Sequence, residues 1–407
     1  SWKVISPDLT RNDPKTLGPS GGPITKDNTG VEYYGTIFAA TESSLEPGLI
    51  WTGSDDGLVH ISKNNGETWK NVTPKKMPEW MMINCIEVSP FDKGSAYIVG
   101  TKYKTGDYTP YIYKTENYGK SWKLITSGIE SEAFTRALRA DPKRKGLLYA
   151  GTEKGMYISF NDGKNWQKLQ LNLPITPIND LIIQDNDLVA ATGGRGFWIL
   201  DDLAVFQQSK KNQDVVIYTP KDTPKFFGGT SNAVGQGQNP KSGVLIDYYL
   251  PKAVDSLELK LEISQNGKVV RSFSNKKPEG FRSWPGGPPP PQILPASQGY
   301  NRFAWGLDRN SLPPVDDMFV FGYLGGSSVA PGTYTLKLIL VSFSLIVDTS
   351  KRSMDVANMQ QTNEEDLPSQ ELLRSYEPVY LQTPRLSRHQ LIQQAYRTEN
   401  VAKVLVL

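Results

Sequence analysis

The chain has 407 residues, with 45 Lys and Arg against 42 Asp and Glu, for a net charge of +3. That balance excludes the strong electrostatic footprint that nucleic acid or an anionic membrane surface requires. The 36 Gly, 29 Pro and single cysteine describe a turn-rich β protein without a disulfide framework, long enough for two domains with cores of their own.

Ser1-Trp2-Lys3-Val4-Ile5 matches Ser121-Trp122-Lys123-Leu124-Ile125, so the chain opens inside a phrase that recurs later. The phrase is [Ser/Thr]-x-Asn-x-Gly-x-x-Trp, complete at 62–69, 115–122 and 159–166, with starts 53 and 44 residues apart. It is a tight turn: Asn bonds the backbone two residues on, Gly supplies a positive φ, and Trp opens the next strand with an indole N–H to place. Asn64, Gly66 and Trp69, then Asn117, Gly119 and Trp122, then Asn161, Gly163 and Trp166 are therefore structural. Repeats of this length with a Gly turn and a Trp have the spacing of propeller blades.

Short apolar or alternating runs surround each copy and read as strands. The first unit has Tyr34 to Ala39, Leu49 to Gly53 and Gly57 to Ile61 before its phrase. The second has Ile83 to Val88, Ala96 to Gly100, a longer Tyr- and Lys-rich insertion, and Pro110 to Tyr113. The third has Phe134 to Ala140, Leu147 to Gly151 and Gly155 to Ile158. Each unit is a four-stranded antiparallel meander, A-B-C-D, with the phrase at the C–D turn. A fourth unit, Asp187 to Leu203, has strands B and C at Leu188 to Thr192 and Phe197 to Leu200 but no phrase, with the apolar segment Ile178 to Ile183 upstream. The opening pentapeptide is then a lone D strand. Either the chain is part of a longer protein, or that strand closes a ring of four; the first reading is adopted.

Beyond Leu203 the pattern changes. Residues 206–240 form a polar linker, and 241–350 hold strand-like segments at Gly243 to Leu250, Leu257 to Ile263, Val269 to Ser274, Tyr300 to Leu307 and Thr333 to Leu340. Gln265-Asn266-Gly267 is a hairpin turn signal, and the segment reads as an immunoglobulin- or fibronectin-like β-sandwich. Its insertion, Trp284 through Pro291, reads as an extended, exposed crossing. Residues 351–407 read as a helical or irregular tail.

Residues 1–205 resemble the C-terminal blades of an Asp-box (bacterial neuraminidase repeat) propeller of the secreted sortilin-like proteins of bacteria, often labelled glycosyl hydrolases. The resemblance rests on the three phrases, Ile5 to Asp13, Gly18 to Thr25, Gly53 to Gly57 and Gly196 to Leu203, and continues through Gly243 to Leu250 and Pro331 to Thr335. Asn stands where that motif has Asp in all three copies, which supports the same turn. The resemblance implies an all-β chain outside the cytoplasm: secreted, periplasmic or on a bacterial cell surface. It implies missing N-terminal blades of the same protein as partners, and a protein, peptide or polysaccharide ligand. In this family the phrase is structural and transfers no activity.

Ligands meet propellers on the face of the D–A and B–C loops, opposite the phrases. Tyr33, Tyr34, Trp80, Arg136, Asn179 and Arg195 are the candidate binding residues there. A glycoside hydrolase of xyloglucanase or sialidase type would need two carboxylates across the scissile bond, and Glu32, Asp55, Asp56 and Asp180 are the candidates. None lies in a motif that singles it out, Asp55-Asp56-Gly57 aligns with the turn Glu153-Lys154-Gly155, and Arg136 stands almost alone where a sialidase would cluster arginines. A binding or scaffold module is the preferred reading. No cofactor or metal is implied: His60 lies in a C strand as packing, no His, Cys and carboxylate spacing fits a metal, and Gly193 to Gly196 opens no helix. Cys85 reads as a buried small hydrophobe, and Leu336 to Val347 is too short to cross a bilayer.

Overall fold

Each phrase folds into the same set of hydrogen bonds. The Ser62, Thr115 and Ser159 hydroxyls accept the Gly66, Gly119 and Gly163 N–H at 2.9, 3.0 and 2.9 Å. The Asn64, Asn117 and Asn161 carboxamides accept the N–H of Thr68, Ser121 and Asn165 at 3.0, 2.9 and 3.0 Å. The two central residues of each turn have positive φ, as in Asn65 (55°) and Gly66 (87°), the geometry of a type I′ turn. The phrase acts through side-chain oxygens that accept, so Asn serves as well as Asp.

The computed structural model describes residues 3–26, 34–210, 214–223, 242–254, 257–311, 315–322, 325–342, 345–348 and 381–382. Contacts divide the chain into Ser1–Asp201 and Asp202–Leu407. The first unit holds four consecutive antiparallel meanders. They are β1–β4 (Ile37–Glu42, Ile50–Ser54, Val59–Ser62, Lys70–Asn71), β5–β8 (Met82–Val88, Ala96–Lys102, Asp107–Thr115, Lys123–Leu124), β9–β12 (Thr135–Ala140, Leu148–Thr152, Gly155–Ser159, Gln167–Lys168) and β13–β15 (Ile178–Gln184, Asp187–Thr192, Phe197–Leu200). Their first strands, β1, β5, β9 and β13, pack on one another in that order, as the inner strands of propeller blades do.

Successive blades bury one face of each sheet against the next. Leu49, Trp51 and Ile61 of the first meet Ile83, Ile86 and Ile98 of the second, and Tyr97, Val99 and Ile112 of the second meet Leu138, Leu148 and Tyr157 of the third. Each phrase Trp locks this packing by donating its indole N–H to the blade before it: Trp122 to Val72 O at 2.7 Å and Trp166 to Ile125 O at 2.6 Å. Trp69 donates to Ile5 O at 2.8 Å. Residue 5 thus accepts the indole N–H as Val72 and Ile125 do, although the described residues 3–5 form no strand where the sequence predicts a lone D strand. One alignment shifts. Gly100 pairs with Ile83 as Ser54 pairs with Ile37, so Val99, not Gly100, is the counterpart of Gly53 and Gly151, because the second blade carries its irregularity between Gly100 and Lys102.

In the second unit, β16 (Val216–Ile217), β17 (Val244–Leu250) and β20 (Gly299–Trp305) form one antiparallel sheet. The strands β18 (Glu258–Gln265), β19 (Lys268–Ser274), β21 (Thr335–Ser342) and β22 (Leu345–Asp348) form another. Ile246, Tyr248 and Trp305 from the first sheet share a core with Leu259, Leu261, Phe273 and Leu338 from the second. Asn266 and Gly267 form the two-residue hairpin, with φ of 52° and 76°. The short helix Ala204–Gln208 and β16 fall in or beside the stretch read as linker. The expected tail lies outside the described residues apart from 381–382.

Candidate functional site

Each inner strand breaks register once, near its start. The breaks fall between Ile37 and Ala39, Ile83 and Cys85, Thr135 and Ala137, and Ile178 and Asp180. The extra residues, Phe38, Asn84, Arg136 and Asn179, therefore occupy one position on four successive blades. A bulge re-aims the side chain it inserts and often sits beside a functional site. These four lie on the innermost strands, at the end where the D–A and B–C loops gather. Phe38 is 56% exposed, Asn179 is exposed, and Asn84 and Arg136 are half-buried. Asn84 Oδ1 accepts the Thr101 hydroxyl at 2.8 Å.

Arg136 is fixed on two sides. Its Nε and Nη2 each lie 2.7 Å from Glu153 Oε2, and its guanidinium covers the rings of Phe134 and Tyr103 at 5.0 and 5.5 Å. Those rings stack at 4.9 Å, because the insertion of the second blade folds Tyr103–Thr105 into a 3₁₀ turn that reaches the loop entering the third. Tyr108, 52% exposed, leans on Phe134 at 6.1 Å. One layer further along the inner strands, Arg139 joins three blades. It donates to Asp180 Oδ1 at 2.8 Å and to Cys85 Sγ at 3.2 Å, and lies 3.8 Å from Glu87. Burial pushes the Glu87 carboxyl up to about 7, although Arg139 and the Ala140 N–H, 2.9 Å away, oppose this. The Cys85 thiol is pushed up chiefly by burial; it accepts a charged donor rather than packing only as a hydrophobe.

The candidate acids are used by the fold. Asp55 Oδ1 accepts the N–H of Gly35 and Thr36 at 3.0 and 2.7 Å. Asp56 is 2% exposed and accepts the Arg11 N–H at 2.7 Å and the Ser54 hydroxyl at 2.5 Å. Asp180 is bound to Arg139. Glu32 and Tyr33 lie outside the described residues. Tyr34 stacks on Trp80 at 5.8 Å, with Arg11 on that indole at 4.7 Å; burial first, then Asp55 and Asp56, push the Tyr34 phenol up to about 12. Arg195 is exposed in the fourth blade's B–C loop, where its carbonyl accepts the Trp198 indole N–H at 3.1 Å. The bulge position thus unites Arg136 and Asn179 with two residues, Phe38 and Asn84, absent from the candidate set; aligning the A strands on Ile-Phe-Ala, Ile-Asn-Cys, Thr-Arg-Ala and Ile-Asn-Asp shows them.

A family model described as "Sortilin, neurotensin receptor 3" matches residues 57–192, which begin in the first blade and end in the fourth. That match covers less than half of the chain, and the residues within it form the propeller-like meanders described above. Among solved structures, YCF48 bound to D1 peptide is similar at 22% identity over 40% of this chain and 51% of that one, with a TM-score of 0.33. YCF48 from Cyanidioschyzon merolae is similar at 18% identity over 54% and 68%, TM-score 0.33, and the GH74 xyloglucanase from Xanthomonas campestris at 14% over 52% and 33%, TM-score 0.32. The chain spans about half the length of the first of these and a third of the last. No curated protein matches it. Among the described residues no helix is long and apolar enough to cross a membrane, and no group of three or more His, Cys, Asp or Glu could hold a metal.

Proposed function

We propose that the first unit is part of an extracytoplasmic binding platform, on a bacterial cell surface or secreted from it. Further blades of the same protein complete its ring. The ligand is a peptide or protein segment held at the inner strands. The observation that carries this reading is the fourfold repeat of the bulge, which puts Phe38, Asn84, Arg136 and Asn179 in one layer. That layer offers a ring, two carboxamides and a cation held in place by Glu153, a set suited to main-chain amides and apolar side chains. The sortilin-like match over 57–192 supports it.

Selection of a displayed peptide library on the full chain tests the reading. Peptides that bind the native protein should lose about tenfold or more in affinity to Phe38→Ala and Asn179→Ala, each worth at least about 1.4 kcal/mol. Peptides that bind both variants as well as the parent would remove the inner layer from the site. The glycoside hydrolase reading has less support, because Asp55, Asp56 and Asp180 all serve hydrogen bonds or ion pairs within the fold. Turnover of any member of a polysaccharide panel, abolished by Asp180→Asn, would reverse that preference.

A further inference from the structure

The opposite end of the first unit, where the phrases and the A–B turns meet, gathers lysines around acids that the fold already uses. The two kinds of turn are joined within each blade: the Tyr118 N–H donates to Gly94 O at 2.8 Å in the second, and the Asp162 N–H to Gly146 O at 2.7 Å in the third. The acids of these turns lie at different depths, from buried Asp141 to Glu116, whose side chain is 72% exposed, and each is engaged within the fold. Asp141 is fully buried and accepts the N–H of Lys143 and Arg144, both at 2.8 Å. Asp162 takes Lys114 Nζ at 2.5 Å and the Tyr97 hydroxyl, and Glu116 pairs with the same Lys114. Asp92 pairs with Lys145 at 2.8 Å, tying one blade's turn to the next. The lysines Lys93, Lys120, Lys143, Lys145 and Lys164 are exposed.

Four of them repeat with the blades. Lys93 and Lys145 precede Gly94 and Gly146 of the A–B turns, while Lys120 and Lys164 follow Gly119 and Gly163 of the phrases; the first blade has Pro47 and Glu67 instead. A net charge of only +3 for the chain thus conceals a local array of cations in which Lys145 is paired with Asp92 and the remaining turn acids are engaged by Lys114 and by backbone N–H groups. We propose that this turn face of the second and third blades binds a linear polysaccharide bearing regularly spaced carboxylates or sulfates. A periodic array of cations matches a periodic array of anions, and lysine ammonium groups act on such scattered charges as point charges without the planar fork of arginine. Nucleic acid fits less well because single strands are held by stacking on open aromatic rings, and the Tyr118 ring between these turns is capped by Lys63 Nζ, 3.1 Å from its centroid.

The test titrates the full chain with dextran sulfate and with polygalacturonate, using neutral dextran as the control. Both polyanions should bind, and affinity should fall about twentyfold or more as salt rises roughly fourfold, as expected for about three neutralised charges. The triple variant K93Q/K120Q/K143Q should lose about tenfold or more at low salt with an unchanged melting temperature. The variant K75Q/K76Q/K104Q removes three exposed lysines from the loop end and should change binding less than about threefold. Absence of binding at low salt, equal losses in the two triple variants, equal binding of neutral dextran, or tighter binding of a single-stranded oligonucleotide than of either polyanion would each overturn the proposal.

Discussion

Gly163 shows why the phrase needs glycine at its fifth position. Its φ is 79°, and a Cβ there would lie 2.3 Å from Ile125 Cδ1 of the preceding blade. Gly163→Ala therefore incurs both the left-handed backbone penalty and an overpacked interface, and should cost about 2–4 kcal/mol in chemical denaturation. Asn161→Asp keeps an acceptor for the Asn165 N–H and should stay within about 0.5 kcal/mol of the parent, whereas Asn161→Ala should cost about 1 kcal/mol. A parent-like Asn161→Ala would mean that the carboxamide bond contributes nothing. Trp166 is 4% exposed, so Trp166→Phe strands the buried Ile125 carbonyl and should cost about 1–3 kcal/mol; the same change at the half-buried Trp69 should cost less.

Two strands carry titrations of opposite sign. In β5, burial raises Glu87 from 4.5 to about 7. The folded state therefore holds this proton more tightly than the unfolded chain does. Its contribution to stability is fully present below about pH 4.5 and is lost as pH rises through 7. Arg139, Asp180 and Cys85 face the same carboxyl from β9, β13 and β5. Glu87→Gln keeps an acceptor for the Ala140 N–H and should be more stable than the parent at pH 8, with the difference shrinking toward pH 5. Denaturant midpoints across that range provide the check, and a constant difference would refute the titration. In β3, burial lowers the pKa of His60, and its Nδ1 finds no hydrogen-bond partner, nor does Thr52 Oγ1 on the residue it pairs with. Stability from the neutral ring is present above about pH 6.5 and is lost as pH falls. The equivalent positions in the next two blades hold Tyr113 and Tyr157, so His60→Phe should remove the acid-side loss.

At the scale of the whole chain, the second unit holds its own buried charge. Asp247 is 5% exposed, receives Arg302 Nε and Nη2 at 2.7 and 2.9 Å, and accepts the Tyr300 hydroxyl at 2.5 Å. Asp247 and Arg302 are direct cross-strand partners in β17 and β20. Asp247→Ala removes the carboxylate that receives two N–H groups of the largely buried Arg302 guanidinium and the Tyr300 hydroxyl, and should destabilise the unit by about 2–4 kcal/mol. Replacing Asp247 and Arg302 together by apolar residues should restore much of this loss, and failure of the double variant to recover would show that Tyr300, not the charge pair, carries the effect.

The four meanders, their strand order and the phrase turns were legible in the sequence because a turn is written in four or five adjacent residues and the repeat spells it three times. The place of Ile5 was legible for the same reason. The inner-layer site was only half legible: Arg136 and Asn179 stood out by type, but Phe38 and Asn84 join them only because each A strand inserts one residue at the same register. Asp55 and Asp56 looked like available carboxylates, yet their roles were decided by backbone N–H groups and by Arg11, which lies 45 residues from Asp56 in the chain. Local turn chemistry depends on neighbours in sequence and can be read there; the aim of a side chain, and whether an acid is free or already bound, depend on groups that only folding brings together.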